Sequence, residues 1–166
     1  MTIAQDQDAL EMWVSRTRRM VGYLDEALAF LGRAGGQFPV LESDIGLVCR
    51  LWAVADEHDE IMCRALTSFD SDLFETPGEL DITRGVETRP TAEQESGIIF
   101  LCTWSMVRPE QDRVSCVLYA EQLTGSVGLE VRDSGGSSHP LPFPITDSSD
   151  VYKTLSDSFF RLVARL

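Results

Sequence analysis

Four acids crowd one of the chain's two histidines in Val54-Ala-Asp-Glu-His-Asp-Glu-Ile-Met-Cys63, and the stretch ends on a thiol. Such a cluster could hold a cation, move protons, or be the wet end of a turn. Metal binding needs side chains that converge on one point. Consecutive residues at a tight turn diverge, and no second group of His and Asp elsewhere supplies the remaining ligands. The expectation is a turn, with no metal and no catalytic residue.

An internal echo supports that reading. Cys49-Arg-Leu-Trp-Ala-Val-Ala-Asp-Glu-His-Asp-Glu-Ile-Met-Cys63 aligns with Cys102-Thr-Trp-Ser-Met-Val-Arg-Pro-Glu-Gln-Asp-Arg-Val-Ser-Cys116, matching both cysteines, Val54 with Val107, Glu57 with Glu110, and Asp59 with Asp112. His58 falls opposite Gln111, which cannot shuttle protons at neutral pH as imidazole can. If the segments are equivalent hairpins, His58 sits at a tip that accepts glutamine.

The four cysteines lack the C-x-x-C spacing of a zinc module and are too few for a disulfide framework. Their apolar neighbours Leu47, Leu51, Leu101 and Val117 predict buried, inert thiols, facing each other in pairs across two hairpins. Asp133-Ser-Gly-Gly-Ser-Ser-His139 sets hydroxyls beside the second histidine, yet the flexible glycines would not hold a nucleophile, and the G-x-S-x-G elbow is missing. Nothing matches H-E-x-x-H, a P-loop or a dinucleotide-binding glycine pattern. No cofactor is expected.

The elements that must position these groups follow from periodicity. Leu10, Trp13, Val14, Thr17, Met20, Val21, Leu24, Leu28 and Leu31 recur at helical spacing, predicting a long amphipathic helix over about 7–32, capped by Asp6 or Asp8 and closed by Gly35-Gly36. Two hairpins are expected: 47–55 returning as 60–68, and 97–107 returning as 113–120 through a turn at 108–111. In the second, Ile98, Phe100, Cys102, Trp104 and Met106 share a core face with Val114, Cys116, Leu118 and Ala120. Val127, Leu129 and Val131 form a further strand after the turn Leu123-Thr124-Gly125. The proline-interrupted segment 140–144 can only be an edge or an extended stretch. A C-terminal helix from about Ser149 carries Val151, Leu155, Phe159, Leu162 and Leu166, with Asp147 or Ser148 as cap. Acidic residues 69–96 connect the hairpins; a structureless loop of that length is uncommon, and Leu80, Ile82 and Val86 suit a weak strand there. The fold class is α+β: an antiparallel sheet of five to six strands flanked by two helices, in a single domain over 1–166.

Composition bounds the function. With 43% hydrophobic and 25% charged residues the chain reads as a soluble globule, without a signal peptide or an apolar run long enough for a membrane span, so the cytoplasm is the expected location. A net charge of −13 disfavours nucleic acid and anionic membrane and permits a basic protein partner. All but one of the fourteen basic residues are arginine. Neither face of the first expected hairpin is polar: Leu47, Cys49, Leu51 and Ala53 lie on one side, and Val48, Trp52, Val54, Met62 and Leu66 on the other. Such a sheet needs cover on both faces, from helices, a second subunit or a dedicated partner. The candidate partner-binding residues are therefore Arg16, Arg18 and Arg19 on the first helix with Trp52, Val54 and Met62 on the sheet.

The order helix, Gly46-Leu47-Val48-Cys49-Arg50-Leu51 strand entry, acidic turn, second hairpin and terminal helix resembles the small acidic chaperones of type III secretion systems. The resemblance implies a dimeric, non-enzymatic bacterial protein; the strand near Val127 and the prolines near Phe143 depart from it. The leading expectation is a protein-binding chaperone, adaptor or immunity-like partner acting as an acidic homodimer. The rival is a small-molecule module or enzyme with a pocket between helix and sheet lined by Trp52, Trp104 or Tyr119. Acids of 69–96 mimicking nucleic acid make a third class.

Overall fold

A computed structural model describes residues 3–89, 97–108, 114–133 and 137–164. Three helices and a five-stranded antiparallel sheet make the fold α+β: α1 (Ile3–Ala34), α2 (Asp44–Leu73), β1 (Glu79–Arg89), β2 (Gly97–Val107), β3 (Val114–Glu121), β4 (Val127–Asp133), β5 (Ser138–Leu141) and α3 (Ser148–Ala164). The strands follow one another in chain order across the sheet. Two compact units divide the chain, residues 1–53 and 54–166, with the boundary inside α2.

The first expected hairpin is not a hairpin. Residues 44–73 form one uninterrupted helix, for a reason visible in which side chains are buried. Leu47, Val48, Leu51, Trp52, Ala55, His58, Met62, Ala65, Leu66 and Phe69 are inside, and steps of three, four and one put them on a single helical stripe. Arg50, Asp56, Glu57, Glu60 and Arg64 are exposed on the other side. An apolar pattern that seems two-faced at a period of 2 is one-faced at 3.6. The 15-residue echo is thus a likeness of composition: 49–63 is helix, whereas its counterpart begins and ends in strands. Cys49 and Cys63, fourteen residues apart on α2, are separated by about 21 Å of helix rise and cannot face each other.

In the second unit the expected shared face of β2 and β3 is present. Phe100 pairs with Ala120, Cys102 with Leu118 and Trp104 with Cys116, so Phe100, Cys102, Trp104, Cys116, Leu118 and Ala120 share one buried face with Leu129 and Val131 of β4. β1 occupies the stretch where Leu80, Ile82 and Val86 suggested a strand, paired along its length with β2. β5, carrying Pro140, is the edge beside β4, where a missing N–H costs no ladder bond. Gly125, at φ +70°, makes the turn between β3 and β4, and its N–H donates to the Glu121 carbonyl at 2.9 Å.

The second half of α2 and α3 cover the apolar face. Phe69 of α2 meets Tyr152 and Phe159 of α3 edge-on, while Val151 and Leu155 are fully buried. Asp147 caps α3 by accepting the Ser149 N–H at 2.9 Å, and that bond holds its carboxyl below the usual range. On the opposite face Arg132 of β4 reaches Glu87 of β1 at 2.7 Å. Three strand spacings amount to about 14 Å in a flat sheet, so the sheet coils to bring them together. The expected turn at 108–111 beyond Arg108, Arg113, residues 134–136 and Leu166 lie outside the described residues.

Candidate functional site

Among the groups that might do chemistry, His58 is the most firmly held. It lies inside α2 and is nearly inaccessible. Nδ1 is 2.8 Å from the Val54 carbonyl, an arrangement that requires Nδ1–H, and Nε2 accepts the Ile145 N–H at 3.3 Å. The ring stacks on Phe143. The neutral imidazole thereby pins α2 to the chain that enters α3, which corrects its placement at a turn tip; Gln111 lies outside the described residues. Its neighbours fan out by about 100° per residue, with Asp56, Glu57 and Glu60 toward solvent and Asp59 inward. Among the described residues no group of three or more His, Cys, Asp or Glu is arranged to hold a metal.

Asp59 instead accepts the Trp104 indole N–H at 2.9 Å and the Cys63 thiol at 3.6 Å. Burial first, then the Asp59 charge and this hydrogen bond, push Cys63 up to about 11. Burial, partly offset by Arg84, puts Cys102 at about 11, and burial alone takes Cys116 to about 12. Cys49 is raised by burial too. Cys102 and Cys116 are buried as expected; Cys49 and Cys63 are only half-buried. None is poised as a thiolate nucleophile.

Asp133 and His139 do approach, with Nε2 4.0 Å from Oδ2. Nδ1 of His139 accepts from Arg161 on α3 at 3.1 Å, and Asp133 Oδ1 accepts the Ser137 N–H. Among the described residues no hydroxyl bonds to the histidine, so the cluster ties the β4–β5 hairpin to α3.

The surface departs furthest from expectation in the first unit. Of the candidate partner-binding residues, Arg16, Arg18 and Arg19 are exposed on α1 and Val54 is half-buried, but Trp52 and Met62 are fully inaccessible. Trp52 meets Phe30 edge-on at 5.2 Å; side chains spent on the chain's own core offer a partner nothing. The same burial, together with that of Trp104, removes two aromatics expected to line a ligand pocket. Tyr119 lies over Gly128, where any side chain would collide with its ring.

The helix stripe read as core does the reverse. Leu10, Trp13, Met20, Val21, Leu24 and Leu28 of α1 are 40–69% exposed, while Ala27, Phe30 and Leu31, in the last turns of the helix, are buried. Thr17, Met20, Val21, Tyr23 and Leu24 line an open groove of about 650 Å³ with Cys49, Arg50 and Ala53 of α2. On another face of α1, Asp8, Glu11, Arg16 and Arg19 surround a depression around Met12 and Ser15. No protein family model, curated protein or solved structure matches the chain. What the surface is for rests on its chemistry. A contiguous apolar face in water marks interaction with another macromolecule. Periodicity identified the stripe; it could not say that the chain would cover only Ala27, Phe30 and Leu31 at the end of the helix.

Proposed function

We propose that this is a non-enzymatic protein-binding protein, a chaperone, adaptor or immunity-like partner, which works through the exposed apolar face of α1. The observation that carries the reading is six large apolar side chains in water along one helix, each forgoing roughly 1.5 to 3 kcal/mol of burial. Asp8, Glu11 and Arg19 lie on the opposite side of the helix, so the apolar face is depleted of charge, as the centre of a protein interface is. A membrane surface is a poorer fit, because a charge of −13 is repelled by anionic headgroups.

The test is a photo-crosslinking amino acid at position 20, illuminated in the cells that make the protein. Adducts of discrete mass are expected there and not from the same group at position 123, an exposed leucine in the β3–β4 turn. Absence of any polypeptide adduct at position 20 refutes the reading.

A further inference from the structure

We infer that the occupant of the α1 face is a second copy of this chain, the two α1 helices packing along Leu10, Trp13, Thr17, Met20 and Leu24. The inference rests on the protein-binding reading above and adds the identity of the partner.

Spacing supplies the first argument. From Leu10 to Leu24 the five residues are separated by three, four, three and four positions; Ala27 and Leu31, next in the alternation, are buried within the chain, so the exposed seam ends at Leu24. That 3.5-residue period is the seam of helices that pack on helices in register. Val21 and Leu28, each one step past the seam, widen it on one side. A peptide lying across the groove would not need so regular a row, whereas an identical helix presents matching knobs and holes.

Area is the second. The six side chains are 40–69% exposed; their complete burial in both copies would remove on the order of 1,400 Å² from water, within the span of specific stable interfaces. The groove beside Cys49 and Ala53 is lined mainly by apolar side chains and accommodates the flank of an approaching helix.

Charge is the third. The chain as a whole carries −13, and two copies should repel. Yet α1 holds five acids (Asp6, Asp8, Glu11, Asp25, Glu26) against four arginines (Arg16, Arg18, Arg19, Arg33), a balance of −1. The apolar face thus sits where a second acidic copy meets the least repulsion. A strongly basic partner would gain more elsewhere on the molecule.

Sedimentation equilibrium between 1 and 100 μM tests the inference. The expected species at the upper end has twice the 18.5 kDa of one chain. Met20→Glu and Leu24→Glu, each burying an unpaired carboxylate twice across a two-fold interface, should each weaken association at least about 100-fold. Leu123→Glu should leave it unchanged. The wild-type protein supplies a reading free of any folding defect: Trp13 is exposed while Trp52 and Trp104 are inaccessible, so iodide quenching should fall as concentration rises. A monomer throughout, or a dimer indifferent to both glutamates, overturns the inference. If that monomer still gives a hetero-adduct from position 20, only the partner's identity fails; with no adduct, the protein-binding reading falls as well.

Discussion

Asp59 does two jobs with one carboxylate: it satisfies the Trp104 indole at 2.9 Å and keeps Cys63 protonated. Asp59→Ala leaves a buried N–H without its partner and is expected to cost about 1–3 kcal/mol, read from urea denaturation. Asp59→Asn keeps an acceptor but removes the charge, so the apparent pKa of Cys63 in a maleimide-rate titration should drop below about 11; a titration identical to wild type would contradict the assignment. The buried thiols also set an alkaline limit. Cys102 and Cys116 rise from an ordinary 9.0 to about 11 and about 12, so the unfolded chain loses these protons first. Their contribution is fully present below pH 9 and is lost as pH climbs toward 11–12. Melting temperature should hold between pH 7 and 8.5 and fall above 9, with a shallower fall in Cys116→Ala. The burial of Cys102 and Cys116 was legible from their apolar neighbours; the Asp59–Trp104 bond was not, because it joins residues 45 positions apart.

At the scale of elements, the end of α2 is fixed to the sheet by Asp70. Its carboxylate accepts Arg108 Nε and Nη2 at 2.9 and 2.7 Å and the Gly78 N–H at 2.9 Å, while the guanidinium lies 3.8 Å over Phe74. Both partners are largely buried. Arg108→Ala therefore strands a buried carboxylate, and a loss of about 3–5 kcal/mol is expected by chemical denaturation; a loss under 1 kcal/mol would show the pair to be solvated. His58→Phe keeps a ring on Phe143 but orphans the Ile145 N–H, at an expected cost of about 1–3 kcal/mol. The strands from Gly97 to Val131 could be read from alternation, the shared face of β2 and β3 included. The helix at 44–73 could not be read the same way, because Leu47-Val48 and Leu51-Trp52 are adjacent apolar pairs that fit either period. Length arbitrates: thirty residues without a glycine or proline after Gly46 suit a helix far better than a hairpin.

For the whole molecule, the location of exposed apolar surface and the location of charge make opposite predictions about salt. If two copies meet at α1, the −13 carried by each whole chain opposes association, and screening relieves that repulsion. Raising sodium chloride from 50 to 500 mM should tighten the dimer severalfold in sedimentation. Attraction between the acidic chain and a basic partner would weaken over the same range, so the sign of the salt effect separates the two.

The sequence by itself determined the α+β class, the core hairpin with its shared face, the capping of α3, and the existence of an apolar stripe on α1, since each follows from local spacing and side-chain chemistry. Tertiary structure decided which stripes found cover. Trp52 and Met62 face inward because residues 44–73 coil at 3.6 residues per turn, and the row from Leu10 to Leu24 faces water because the chain covers α1 only at Ala27, Phe30 and Leu31 in its last turns. Periodicity reports that a face is apolar; only the arrangement of neighbours determines whether the chain or another molecule buries it.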